Sequence, residues 1–201
     1  VASVTTVYLT GAIHPTIRPE IDAGRVGALV TPRSRYRVDP AWTWAADSGC
    51  YSPATYVGDA AYLAWLDRQP RTALWVTCPD VVGDHAATVA RSVPFAPSVR
   101  ALGFVPAFVA QDGATPETVP WDAFGALFIG GSTAWKLGPA ARALLAHARA
   151  LGLPTHVGRV NSRRRFAAFH GLADTVDGTC LAFDPSRPVA TWSAQLVLGD
   201  A

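Results

Sequence analysis

The sequence predicts an α/β fold: one (β/α)8 TIM-type barrel of minimal size over residues 1–201, with an open doubly wound α/β sheet as the alternative. Three observations carry this reading. Eight short apolar, β-like runs recur along the 201 residues, and segments of helical periodicity separate several of them. A polar or glycine residue stands just past the end of most runs, at Asp47, Asp80, Gln111, Gly130, Arg159 and Asp177. In a parallel barrel those positions form the C-terminal rim, where active sites are built.

The elements follow in order. Residues 4–10 are a β-branched run closed by Gly11, and residues 27–31 a second run stopped by Pro32. Between them HPTIRPEIDAGR holds two prolines and weak periodicity, which predicts irregular loop. Residues 43–46 form a third strand. A helix over 60–69 follows, with Tyr62, Trp65 and Leu66 on one face. Residues 72–77 are the fourth strand. The segment 86–102 reads as helical but broken, because Pro94 and Pro97 remove backbone donors. Strands five and six are 105–110 and 126–129. The clearest helix carries the stripe Leu137, Ala141, Leu144, Leu145, Ala148 and Leu151, with Pro139 in its first turn and Gly152 after its end. Residues 154–160 and 175–179 are strands seven and eight, joined by a short helix. Asn161 and Ser162 are capping side chains for that helix, and Phe166, Phe169 and Leu172 supply its apolar face. One further strand is expected at 191–197.

Bulk composition narrows the function. Half the residues are hydrophobic and 16% charged, as in a globular domain rather than a disordered chain. A net charge of +2 is too small to argue for nucleic acid by itself, so a basic footprint must be local. Lys136 is the only lysine; every other cation is arginine. The three cysteines (Cys50, Cys78, Cys180) are widely spaced with no paired Cys/His pattern, against a zinc site or a disulfide framework. No apolar run approaches the roughly 20 residues of a membrane span. No signal peptide is visible, so a cytoplasmic protein without a membrane partner is expected.

Asp47 and Asp177 are the carboxylates to pair. One carboxylate can attack a sugar's anomeric carbon while a second moves the proton. Taken singly, a strand-end Asp before Ser-Gly or Gly is also what a turn or cap uses. Asp80 is the first acid after strand four, and Asp84 is placed to cap the helix that follows. Gln111 in AQDG and the Gly130-Gly131 pair offer an amide and bare backbone N–H groups for the edge of a flat heterocycle. Arg159, Arg163, Arg164 and Arg165, with Asn161, flank the seventh-strand loop, where barrels commonly bind phosphate. His156 and His170 read as packing residues, since nothing pairs them with a Ser or Cys nucleophile.

In this order the segments resemble a known family, the tRNA-guanine transglycosylases and their DNA-directed relatives, the compact 7-deazaguanine DNA transglycosylases of phages and bacterial gene clusters. ADSG at Asp47 resembles the family's DSGG segment with its acid/base aspartate. CPD at Asp80 falls where a second aspartate binds the base. AQDG resembles the VQGG turn with its base-binding glutamine, here Gln111. FIGG resembles the IGGL turn, placing Gly130 and Gly131 against the base carbonyl. GLADTVDGT resembles the stretch bearing the nucleophile, here Asp177. The tRNA enzymes carry a Cys/His zinc subdomain after the nucleophile and this sequence does not, which favours the DNA type.

The resemblance implies a nucleobase exchange in a nucleic acid, DNA favoured over tRNA. Asp177 attacks C1′ of a guanosine unit, guanine leaves, and a free 7-deazaguanine base attacks the glycosyl-enzyme. No cofactor and no metal is implied; a homodimer or a helper protein is compatible with the sequence. Two alternatives use the same residues differently: an N-glycosidase that hydrolyses the intermediate, and a catalytically silent nucleic-acid-binding subunit.

Overall fold

In the computed structural model, residues 6–11, 13–34 and 36–178 are described. The start of the first predicted run, Thr179, Cys180 and the strand expected at 191–197 lie outside the described residues. Eight strands, β1 (Val7–Thr10), β2 (Gly27–Val30), β3 (Trp44–Ala46), β4 (Val76–Thr77), β5 (Pro106–Ala110), β6 (Ala126–Ile129), β7 (Thr155–Val157) and β8 (Thr175–Gly178), form a closed barrel in sequence order. Closure is made by β1 and β8, parallel over four registered pairs from Val7↔Thr175 to Thr10↔Gly178. That ladder excludes the open-sheet alternative.

The period of two along each strand divides the side chains into two cores. Leu9, Leu29, Ala45, Trp75, Ala107, Val109, Ala126 and Phe128 fill the barrel interior. Their neighbours, including Val30, Ala46, Val76, Phe108, Leu127, Ile129, Val157 and Val176, face the surrounding layer. Alanine at three inward positions leaves room for large rings. Trp75 meets Phe128 edge-on at 5.6 Å, and both rings touch that of His156. One step further along the same inward rows come Asp47, Thr77, Gln111, Gly130 and Gly158. The fold therefore delivers polar residues to the top of the barrel by the alternation that packs its interior.

The helical layer is α1 (Arg18–Asp22), α2 (Asp59–Asp67), α3 (His85–Ala101), α4 (Thr133–Lys136), α5 (Pro139–Ala150) and α6 (Arg163–Phe169), with a 3-10 turn at Trp121–Ala123. Three expectations need correction. The first β–α connection is not wholly irregular: Pro19 lies in the first turn of α1, where a missing N–H costs nothing, and Ile17 and Ile21 are buried one turn apart. The prolines do not break α3, which runs unbroken through both. Pro94 and Pro97 lie on its exposed face. Thr88, Ser92, Phe95, Ala96 and Val99 hold the inner face. The α5 stripe is shorter than predicted: Ala141, Leu144, Leu145 and Ala148 are buried. Leu137 and Leu151, at the caps of α4 and α5, are 40% and 50% exposed. Two caps follow the expected chemistry, with Asp84 accepting from Ala87 N at 2.9 Å and Ser162 from Arg165 N at 3.3 Å.

No helix among the described residues is long and apolar enough to cross a membrane. Cys50 and Cys78 are buried free thiols.

Candidate active site

A cavity of about 320 Å³ opens at the C-terminal rim of the barrel. Asp47, Asp80, Gln111, Gly130, Gly131, Arg159, Asn161 and Asp177 all line it, together with Tyr51, Thr77, Val82, Val109, Phe128 and Gly158. Arg163, Arg164 and Arg165 do not. They form the first turn of α6, with Arg163 and Arg164 exposed. Among the described residues no group of three or more His, Cys, Asp or Glu side chains is arranged to hold a metal.

Asp177 is the most heavily supported carboxylate. Its Oδ1 faces His156 Nε2 at 2.9 Å and accepts the Arg159 backbone N–H at 3.2 Å. Its second oxygen accepts no hydrogen bond from the described residues. One oxygen is thus fixed, and the carboxylate lines the cavity. His156 is fully enclosed, and its Nδ1 faces Thr175 Oγ1 at 2.8 Å. Two proton arrangements fill both contacts with Asp177 ionised. A neutral ring protonated on Nε2 accepts the Thr175 hydroxyl, or an imidazolium donates from both nitrogens while that hydroxyl turns to the Thr155 carbonyl 3.3 Å away. His156 packs, as its sequence context suggested, and in addition faces Asp177, a contact the sequence reading did not include. Its signal in the sequence was parity: it lies two residues before Gly158, in the inward row.

The loop after β7 is bent to make the second contact. Arg159 has φ 58, a left-handed backbone costing a non-glycine residue roughly 1 kcal/mol, and this turns its N–H onto Asp177. Its guanidinium donates to the Gly131 carbonyl and stacks over Tyr51 at 4.8 Å, tying together the loops after β3, β6 and β7. Gly158 precedes it because a Cβ there would stand 2.6 Å from the Phe128 ring.

Gln111 organises the opposite wall. Its amide nitrogen donates to Asp80 Oδ2 at 2.7 Å, and its amide oxygen accepts from Gly83 N at 2.9 Å and Gly131 N at 3.1 Å. Gly130 N in turn donates to the Ala110 carbonyl at 2.9 Å. The expectation of bare N–H groups at Gly130-Gly131 is therefore corrected: both glycines line the cavity, but their donors are engaged inside the protein. Glycine is still required at position 131, where φ is +63 and a Cβ would stand 2.5 Å from the Trp135 ring.

Burial sets Asp80 and Asp47 apart from ordinary carboxyls. Asp80, 8% exposed, is pushed up to about 7 by burial and then by the charge of Asp47, against the opposing Arg91 charge and Gln111 hydrogen bond. Arg91 of α3 also donates to the Asp80 carbonyl at 3.0 Å, fixing that loop. Burial also raises Asp47, and the charge of Asp177 adds to it, while the Gly49 N–H it accepts at 2.9 Å works against both. Asp47 and Asp80 therefore both hold their protons more tightly than ordinary carboxyls, in the cavity that Asp177 also lines. Acids with raised proton affinity are suited to general acid–base chemistry.

No protein-family model matches the chain, and no curated protein matches it. Solved structures do. A chain of the tryptophan synthase a2b2 complex from Pyrococcus furiosus superposes with a TM-score of 0.57 at 14% identity, over 96% of this chain and 94% of that one. Tryptophan synthase from M. tuberculosis, in an open form, gives 0.55 at 14% identity over 96% and 90%. A mandelate racemase/muconate lactonizing enzyme-like protein from Rubrobacter xylanophilus gives 0.52 at 12% identity over 94% and 59%. At such identities the likeness is one of fold. The protein is a (β/α)8 barrel.

Proposed function

We propose that the protein is a nucleobase-exchange glycosyltransferase that replaces guanine by a 7-deazaguanine base in a nucleic acid, DNA before tRNA, through a covalent aspartyl-glycosyl intermediate. The observation that carries this is the convergence of Asp177, Asp47, Asp80 and Gln111, from four different strand ends, on one base-sized cavity. A volume of about 320 Å³ is at the small end for ligand pockets and suits one nucleoside rather than a length of polymer. The target nucleotide must therefore be turned out of its stack, or the substrate single-stranded.

The free Asp177 oxygen attacks C1′ as the bond to guanine N9 breaks. Asp47, which holds its proton more tightly than an ordinary carboxyl, supplies that proton to the leaving base and recovers one from the incoming base. Asp80 reads the base: in its ionised form it accepts from N1–H and the 2-amino group, with Gln111 fixing its other side. Arg163 and Arg164, exposed beside the cavity, suit flanking phosphates. The preference for DNA rests on the family resemblance.

The deciding experiment incubates the protein with labelled guanine and either DNA or tRNA. Label entering the polymer supports exchange. Release of guanine without uptake of label identifies an N-glycosidase instead. Binding of polymer with neither reaction identifies a silent binding subunit.

A further inference from the structure

Lys136 is the only lysine in the chain and is 3% exposed, at the end of the four-residue helix α4 behind the cavity wall. It makes no salt bridge with a described carboxylate. Its Nζ donates instead to the Gly158 carbonyl. The peptide that carries this carbonyl also carries the Arg159 N–H, which donates to Asp177 Oδ1 at 3.2 Å. An ammonium on the oxygen of a peptide draws electron density away from its nitrogen and strengthens the N–H as a donor, as in any chain of polarised hydrogen bonds. The same bond helps anchor the left-handed Arg159 backbone, alongside the contacts of Arg159 itself to Asp177 and Gly131.

We propose that Lys136 is a positioning residue for Asp177, acting through the Gly158–Arg159 peptide. It fixes the plane of that peptide and, through it, the oxygen of Asp177 that does not react, so that the other oxygen keeps one direction into the cavity. Asp177 does this from β8, Lys136 from α4, and the peptide between them belongs to the loop after β7. Burial, and then the charge of Arg159, bring Lys136 down to about 8; Arg165 acts in the same direction, while Asp177 and Asp112 oppose them. On the Asp177 side the facing charged or titratable groups are His156 and Asp47. The inference rests on the reading of Asp177 as nucleophile, but its physical core is testable without any reaction.

The test is the amide proton resonance of Arg159 in the isotopically labelled full chain. In the wild type it should move with an apparent midpoint near pH 8, as Lys136 loses its proton. In Lys136→Arg the low-field position should persist and the movement disappear. In Lys136→Met the resonance should sit up-field at every pH. Arg165→Met removes a neighbouring cation that is not bonded to the peptide, and should leave the resonance in place. An Arg159 amide with the same resonance position in wild type and Lys136→Met overturns the proposal, as does an Arg165→Met shift as large as that of Lys136→Met. With substrate, Lys136→Met should lower kcat about 10- to 100-fold with little change in KM, and Lys136→Arg should recover most of it. If the wild type forms no adduct, the reading of Asp177 fails while the amide measurement still decides the relay.

Discussion

His156 Nε2 stands 2.9 Å from Asp177 Oδ1 across the β7–β8 ladder. The imidazole is closed in by Trp75 and Phe128, with ring centroids 4.7 and 4.4 Å away. The carboxylate is 16% exposed. An acid at the rim is thus held from below by a ring that solvent does not reach. His156→Leu keeps the volume and removes the partner. Stability should fall by about 1–3 kcal/mol, since a largely buried carboxylate oxygen loses one of its two donors. Adduct formation should fall about 10²-fold. Denaturant titration and adduct trapping read the two effects separately, and an unchanged adduct rate would make His156 a packing residue after all.

Asp177→Asn retains an oxygen that accepts from both His156 and Arg159 N, so the fold should stay within about 1 kcal/mol of the wild type. It lacks a nucleophile, and no covalent sugar adduct should form. Asp47→Ala should still form the adduct, about 10²–10⁴-fold more slowly, because only the proton transfer is removed. Mass spectrometry of the trapped protein distinguishes the two. An adduct in Asp177→Asn would move the nucleophile elsewhere, with Asp47 next in line.

Asp80 supplies a pH signature with a fixed sign. Its folded value of about 7 lies above the ordinary carboxylate range, so the folded state holds a proton that the unfolded chain releases. The stability this contributes is complete below about pH 4 and is lost as pH rises to 7. Asp80→Asn removes the titration. The mutant should be about 2–4 kcal/mol more stable than the wild type at pH 8 and nearly equal to it at pH 4. Recognition runs the other way: a guanine edge needs the ionised form, so wild-type affinity should fall as pH drops below 7 and Asp80→Asn should bind weakly throughout. Parallel melting and binding series check both halves.

Arg163→Ala combined with Arg164→Ala should weaken polymer binding and flatten its salt dependence, by roughly one slope unit for each phosphate no longer neutralised. Neither side chain lines the cavity, so binding of the free base should be unaffected. Identical salt slopes would return the pair to an ordinary solvated helix face.

The residues of the rim were legible because a barrel repeats one rule eight times. Asp47, Gln111 and Gly130 each lie two residues beyond an inward-facing side chain, so alternation and run length together place them. Partnership was not legible. Nothing in AQDG says that both lone pairs of the Gln111 amide oxygen are taken by Gly83 and Gly131, because those donors come from loops 28 and 20 residues away. The Asp177 contact of His156 was hidden, since a polar residue within a strand looks alike whether it faces a ring or a carboxylate. The prolines misled for a related reason. Pro94 and Pro97 lie on the exposed face of an unbroken helix, and that face is set by packing that sequence periodicity did not resolve.

The Gln111 amide has a kinetic meaning as well. By bonding at once to Asp80, Gly83 and Gly131 it keys the loops after β4, β5 and β6 to one another before any base arrives. Ordering a mobile side chain on binding costs about 0.5–1.5 kcal/mol, and a wall assembled in advance avoids that cost for each residue in it. A pocket of this kind should admit its base without a slow closing step. Encounter rates should then depend little on temperature, and discrimination between bases should reside in how fast the wrong one leaves.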